Sequence, residues 1–216
     1  VKTMQNGNFH GSGGSAQSGD WMIYHVSTGN TKKLNLNNST TQSSASSTYW
    51  NNTSPTDSLI TLGSDLAIAS SWSNSATEYV CYCWHSVPGY SAFGSYVSAG
   101  ATSDSNFVYL GFKPAFVMLK ATGAASGFES YISWVIYDNA RQTANPNHSP
   151  LYANHHVTEG YRGNGTTTSG GAGLILDFLS NGFKIRSENA EYSGANTNPI
   201  IYMAFAEQPT NFTTAR

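Results

Sequence analysis

The sequence predicts an all-β protein, built most simply as a β-sandwich. First, its apolar segments are short, rich in aromatic and β-branched residues, and separated by Gly, Asn, Ser and Pro. Second, no stretch of a dozen residues keeps a 3.6-residue apolar period with helix caps. Third, the density of Gly and Asn makes long helices costly. With 39% hydrophobic and 13% aromatic residues, the chain can still bury a substantial core.

The predicted strands follow one another along most of the chain. They cover residues 21–26, 58–68, 79–84, 107–112, 115–120, 132–137, 174–178, 182–185 and 200–205. Typical examples are YVCYCW at 79–84 and ISWVIY at 132–137, both dominated by residues that favour a pleated, half-buried surface.

The same apolar segments recur in the two halves of the chain, in the same order. Residues 21–24 (WMIY) reappear at 134–137 (WVIY), and residues 34–37, 61–68 and 80–84 correspond to 151–154, 178–185 and 201–205. The separations are 113, 117, 117 and 121 residues, so they stay nearly constant. We infer an internal duplication with two tandem β-sandwich-like modules, residues 1–98 and 99–216.

The duplication also predicts that the first module is incomplete. The alignment places Val1 and Lys2 on Leu119 and Lys120, at the end of the first strand pair of the second module. An unpaired sheet edge is a liability. We therefore expect upstream residues of a longer chain, or a neighbouring subunit, to fill the edge; the missing initial Met agrees with this expectation.

Charge is unusually scarce in this sequence. There are 10 Lys and Arg against 12 Asp and Glu, whereas Ser, Thr, Asn and Gly make up 92 of the 216 residues. A net charge of −2 provides no basic surface for nucleic acid or an anionic membrane. No apolar run is long enough to span a bilayer, and the N-terminus does not resemble a signal peptide. Neither nucleic-acid binding nor membrane insertion is expected.

The two cysteines, Cys81 and Cys83, lie two residues apart in a predicted strand. Such side chains point to the same face and are poorly placed to form a disulfide with each other. We predict that both thiols are buried and pack as small hydrophobic groups.

Several segments resemble a known family. Residues 111–120 (GFKPAFVMLK), 134–141 (WVIYDNAR), 177–185 (DFLSNGFKI) and 201–209 (IYMAFAEQP) are similar to modules from virion structural proteins of marine tailed bacteriophages. Residues 79–85 (YVCYCWH) resemble the closing strand of related phage modules. The resemblance extends from about Trp21 to Arg216, and it rests on core strands rather than on a catalytic signature.

The resemblance implies a phage particle component. We expect the C-terminal region of a tail fibre or surface appendage, displayed on the exterior of the virion, that adheres to a glycan or protein receptor on the host cell. The alternative is a capsid or appendage decoration subunit with a purely structural role; a glycan-cleaving depolymerase comes third. The expected partners are other virion proteins and the upstream part of the same chain. For a fibre, a homo-oligomer is expected, with a trimer favoured.

Residues that could support catalysis or metal binding have simpler explanations. His148, His155, His156 and Glu159 match no metal-site template, so no metal or cofactor is predicted. Glycoside hydrolysis needs two suitably separated carboxylates. The candidates are Asp138, Glu159, Asp177 and Glu207, with Glu129 and Glu188 behind them, and Asp138 followed by Arg141 reads equally well as a structural ion pair. We therefore expect no enzymatic activity.

Aromatic side chains in polar loops are the remaining indication of function. An amphipathic ring flanked by Asn, Ser and Thr suits a sugar face or a protein surface. The predicted contact residues are Tyr49, Trp50, Tyr90, Tyr161, His155 and His156. For Trp50 the competing prediction is that the ring closes the edge of a small sandwich.

Overall fold

The fold is all-β and antiparallel. The computed structural model describes residues 1–3, 9–10, 16–17, 20–65, 79–97, 106–123, 132–159, 175–187 and 199–208, and this part contains no helix, hence none that could cross a membrane. The strands are β1 Lys2–Thr3, β2 Phe9–His10, β3 Ala16–Gln17, β4 Met22–Ile23, β5 Leu34–Asn35, β6 Tyr79–Val80, β7 Ser91–Val97, β8 Phe107–Tyr109, β9 Pro114–Ala121, β10 Val135–Asp138, β11 Leu151–Tyr152, β12 Ile175–Leu179, β13 Gly182–Ser187 and β14 Pro199–Ala206.

The chain forms two compact units. Unit 1 contains residues 1–37 and 42–84, and unit 2 contains residues 38–41 and 85–216. This division differs from the expected boundary between residues 98 and 99. The reason is that β7 pairs along its whole length with β14, which holds residues 91–97 in unit 2.

Unit 2 is a β-sandwich. Its larger sheet has the order β11-β10-β9-β14-β7, and its smaller sheet has the order β12-β13-β8. Alternate residues of β9, such as Val117 and Leu119, share one buried core with Leu176 of β12 and Phe183 of β13. The period-2 alternation of a strand therefore directs one face of each sheet to the common core.

Unit 1 contains a short version of the same strand arrangement. β1 pairs with β6, and β4 pairs with β5. The two pairs are joined by two hydrogen bonds, from the Val1 amine to the Met22 oxygen (2.7 Å) and from the Met22 amide to the Val1 oxygen (2.9 Å). The order is thus β5-β4-β1-β6. Among the described residues, Met22 and Trp50 form a buried core cluster, with half-buried apolar residues packed around them.

The strand registers of the two units agree residue for residue with the inferred repeat. Lys2 pairs with Val80 as Lys120 pairs with Ile201, and Met22 pairs with Asn35 as Val135 pairs with Tyr152. A side-chain contact is repeated as well. The amide of the tryptophan that precedes β4 or β10 donates to an asparagine Oδ1, at 2.9 Å for Trp21 to Asn37 and 2.8 Å for Trp134 to Asn154.

Two sequence-based strand expectations need correction. Residues 58–65 form no strand; residues 66–68 lie outside the described part. The amide of Gly63 instead donates to the Tyr49 oxygen (2.8 Å), and a Cβ on Gly63 would lie 2.1 Å from the Thr48 oxygen, so this segment packs directly on the 48–49 backbone. Conversely, β7 was not predicted, although it is one of the longer strands.

The prediction for the cysteines was wrong in one respect. Cys81 and Cys83 are both free and exposed, whereas burial was predicted. Their sulfurs lie 3.6 Å apart, which agrees with side chains on the same face and is too long for a disulfide. The strand that begins at Tyr79 ends at Val80, so no sheet covers these thiols within the described residues.

Candidate functional site

Three aromatic rings form a row on unit 1, with Tyr82 and Trp84 exposed and Trp21 half-buried. The rings of Trp21 and Tyr82 have centroids 5.8 Å apart, and those of Tyr82 and Trp84 are 6.0 Å apart, with interplanar angles of 28° and 30°. Tyr82 is 61% exposed and Trp84 57% exposed. We call Trp21, Tyr82 and Trp84 the aromatic row. A contiguous apolar surface of this kind marks a site of contact with a partner more often than a single exposed ring does.

The strand geometry explains why these rings share one face. Tyr79 packs against the core of unit 1, so alternation directs Cys81 and Cys83 to the same side and Tyr82 and Trp84 to the opposite, outer side. Trp21 precedes the buried Met22 and therefore also lies on the outer side. The ammonium of Lys2 lies 5.5 Å from the Trp21 ring centroid and adds a cation–π contact at one end of the row.

A network of polar side chains is anchored at Trp21. The Asp20 carboxylate accepts hydrogen bonds from the side-chain amides of Asn35 (3.0 Å) and Asn37 (2.7 Å). The Oδ1 of Asn37 in turn accepts a hydrogen bond from the backbone amide of Trp21 (2.9 Å). These bonds fasten the two amides and the carboxylate to the backbone that carries Trp21.

Unit 2 carries aromatic rings at the corresponding place. The Phe205 ring contacts Tyr90 (6.0 Å), Phe93 (6.0 Å) and Phe116 (6.1 Å) on the side of the sheet away from the core. We call these four residues the Tyr90 cluster. Phe205 of β14 corresponds to Trp84 in the repeat, separated by 121 residues. Each unit thus presents aromatic rings near the end of its closing segment, although the Phe rings of unit 2 are half-buried.

The structure separates the predicted contact residues of unit 2. Tyr90 is 43% exposed and belongs to the Tyr90 cluster, beside β7 at one edge of the larger sheet. His155 and His156 are exposed, and the His155 ring packs edge-on against Tyr152 of β11, at the other edge. Tyr90 and the histidines therefore do not share a site.

The other predicted contact residues lie in different environments. Trp50 is 1% exposed and donates its Nε1–H to the Lys32 oxygen (2.8 Å), which corrects its assignment as a contact residue: its ring is part of the core. Tyr49 is half-buried under the Lys33 ammonium, 4.9 Å from the ring centroid. Tyr161 lies outside the described residues.

The four main carboxylate candidates are all paired with basic groups. Arg141 bonds Asp138 (2.6 Å) and Glu159 (2.9 Å) together, and Glu207 pairs with Lys113 (2.7 Å). Asp177 pairs with Arg186. Burial acts to raise the pKa of Asp138, but the backbone amide, side-chain hydrogen bond and charge of Arg141 outweigh it and hold that pKa below its ordinary value. Glu129 and Glu188 lie outside the described residues.

Asparagine side chains fasten the loop after β10 to the smaller sheet. Asn145 exchanges two hydrogen bonds with the Phe178 backbone (2.8 and 2.9 Å), and the buried Asn147 pairs with Leu176 through its backbone. Asp138 ends β10, and Arg141 lies in this fastened loop. Their arrangement is that of a structural ion-pair network. No cluster of three or more metal-ligating side chains occurs within the described ranges.

One buried lysine stands out electrostatically. Lys120 is fully buried, donates to the Ile132 oxygen, and lies 5.6 Å from the Trp134 ring centroid. Burial lowers the pKa of Lys120 to about 7. Lys2 and Trp21 repeat this pair in unit 1. The contact is thus part of the repeated scaffold, and it positions the tryptophan in both units.

The sequence reasoning missed the aromatic row. The alternation of Tyr82 and Trp84 in a predicted strand was visible and could have indicated two rings on one face. The proximity of Trp21 was not visible, because it depends on β4 and β6 lying on either side of β1.

Comparison with known proteins gives a family match. The model of the family described as "Domain of unknown function (DUF7483)" matches residues 13–209, which includes most of both units. No curated protein and no solved structure matches the chain.

Proposed function

We propose that this chain, which belongs to the DUF7483 family, is a surface module of a phage virion, in the C-terminal region of a tail fibre or appendage, and adheres to glycan on the host cell. The aromatic row carries the proposal, because the exposed rings of Tyr82 and Trp84, stacked in line with Trp21, suit the apolar face of a sugar. The phage origin rests on the resemblance of the core strands to virion modules.

The composition supports an uncharged ligand. With only 10% charged residues, the surface offers hydrogen bonding without strong electrostatic attraction, which suits glycans better than nucleic acid. A single shallow contact of this kind binds weakly. Aromatic rings in both units, and several chains on one particle, would raise the overall avidity without new contacts.

A structural role is the second candidate. It is favoured by the half-buried state of the three Phe rings of the Tyr90 cluster, because such rings complete a protein–protein interface as readily as they bind sugar. As a decoration subunit, the chain would bury the aromatic row against a neighbouring virion protein. The two roles differ in whether isolated chains bind polysaccharide.

The test is binding of the purified chain to immobilised bacterial capsular polysaccharides and lipopolysaccharides. We expect Trp84→Ala and Tyr82→Ala each to weaken binding about tenfold, because each removes one ring of the row. The Tyr90→Ala variant shows in the same assay whether unit 2 contributes to polysaccharide binding. The exposed Tyr109 of β8 provides the matched control, since it is 68% exposed and belongs to neither aromatic group.

Tyr109→Ala should bind like the unsubstituted chain. An equal loss in the Trp84 and Tyr109 variants would show that binding is non-specific. Absence of binding to the whole panel, together with burial of the aromatic row in images of the intact particle, would favour the structural role.

A further inference from the structure

The closing strand of unit 2 has a partner on each side. β14 pairs with β7 along one edge and with β9 along the other, where Met203 lies opposite Met118 and Phe205 opposite Phe116. Its core-facing residue Ala204 is fully buried in this arrangement. Pairing with β9 therefore accounts for much of the burial of the β14 residues that lie opposite it.

In the corresponding segment of unit 1, β1 pairs with Tyr79 and Val80. Among the residues that the structure describes, no strand pairs with residues 81–84. The register is nevertheless fixed, because Lys2 lies opposite Val80 as Lys120 lies opposite Ile201. Continuing that register places the next strand residue, the equivalent of Met118, opposite Tyr82.

We infer that the edge formed by residues 81–84 binds an extended strand with the pattern of Pro114–Met118, lying in line with β1 and ending next to Val1. The backbone already favours this geometry, because Val1 makes the two hydrogen bonds to Met22 that an internal residue of a central strand would make. Apolar residues at alternate positions of the added strand would face the core of unit 1.

The cysteines indicate where the added strand would matter most. Cys81 and Cys83 correspond to Tyr202 and Ala204, which face the core of unit 2. Their exposure in unit 1 is what an open edge produces at core-facing positions. Tyr82 and Trp84 correspond to Met203 and Phe205, which remain half-buried beside β9. The added strand would therefore cover the thiols and leave part of the aromatic row accessible.

The test is an extended chain in which a copy of residues 111–118 (GFKPAFVM) is fused directly in front of Val1. The rate of alkylation by iodoacetamide is measured separately for Cys81 and Cys83 by peptide mass spectrometry. We expect the extension to slow alkylation of Cys83 about tenfold or more. It should also protect alternate amides within residues 81–84 from hydrogen exchange, because only every second amide points to the added strand.

The matched control carries the same extension with Asp at the position copied from Val117. Val117 faces the core of unit 2, and an unpaired charge at the equivalent position opposes docking. The control should leave both rates near those of the unextended chain. The peptide GFKPAFVM added in trans to the unextended chain provides a second measurement that needs no new fold.

Equal alkylation rates in the extended chain and its Asp control, with no effect of the free peptide, would overturn the inference. A second result would also overturn the inference: protection of the thiols that rises with the concentration of the unextended chain, together with dimers in light scattering. The edge would then be occupied by a second copy of the chain. Polysaccharide binding is measured on the unextended chain, so failure of the proposed function and failure of this inference are distinguishable.

Discussion

The two units share one strand register but differ in how completely it is paired and covered. In unit 2, β9 is eight residues long and lies between β10 and β14, and its lysine is fully buried. In unit 1, β1 has two residues, and the equivalent lysine is half-buried. The two lysines therefore lie opposite corresponding residues but differ in burial. The lysine on the longer, more completely paired strand is the more buried of the two.

The two lysines make this difference measurable. Burial lowers the pKa of Lys120 to about 7, below the ordinary value of 10.5 that applies in the unfolded chain. The unfolded state thus binds a proton at a higher pH than the folded state does. The stability of unit 2 should fall as the pH is lowered from about 10 to 7 and level off below 7, by about 1.4 kcal/mol per pH unit within that window.

Lys120→Met should remove this dependence. The difference in unfolding free energy between pH 9.5 and pH 7, measured by urea denaturation, should be about 3 kcal/mol smaller in the Lys120→Met variant than in the unsubstituted chain. The window stops below pH 10 because burial raises the pKa of Tyr202, whose ionisation would oppose folding at higher pH. Lys2→Met is the matched control and should change the pH dependence little. A similar effect of both substitutions would contradict the difference in burial.

The hairpin of the smaller sheet provides a second comparison. A Cβ on Gly182 would lie 2.0 Å from the Val108 oxygen, so an alanine would push β13 away from β8. We expect Gly182→Ala to lower the unfolding free energy of unit 2 by about 2.5 kcal/mol, as overpacking against backbone does. Gly29→Ala in unit 1 is the control, because Gly29 has a φ of +77° but open space around it.

Gly29→Ala should cost only about 1 kcal/mol, from backbone strain alone. Thermal unfolding followed by circular dichroism separates the two variants. Equal losses would mean that the close approach between β8 and β13 does not constrain position 182.

The sequence was sufficient to predict the fold class and the repeat, because both depend on apolar patterns that are local to each strand. It was also sufficient to predict the correspondence between Lys2 and Lys120, which pair with corresponding residues in the two units. It could not predict the exposure of Cys81 and Cys83, because burial of a strand residue depends on whether a neighbouring strand covers it. Trp50 was equally ambiguous, since a tryptophan flanked by Tyr and Asn suits both a contact surface and a small core.

Trp50 distinguishes the core of unit 1 from its aromatic row. Trp50→Phe keeps an aromatic ring but removes the Nε1–H that bonds the Lys32 oxygen, and it leaves unfilled volume beside Met22. We expect a loss of about 1.5 kcal/mol in the stability of unit 1, from the unpaired carbonyl and the small cavity together. Polysaccharide binding should not change, because the buried ring has no access to a ligand. The opposite result, unchanged stability with lost binding, would show that Trp50 contacts the ligand and is not a core residue separate from the aromatic row.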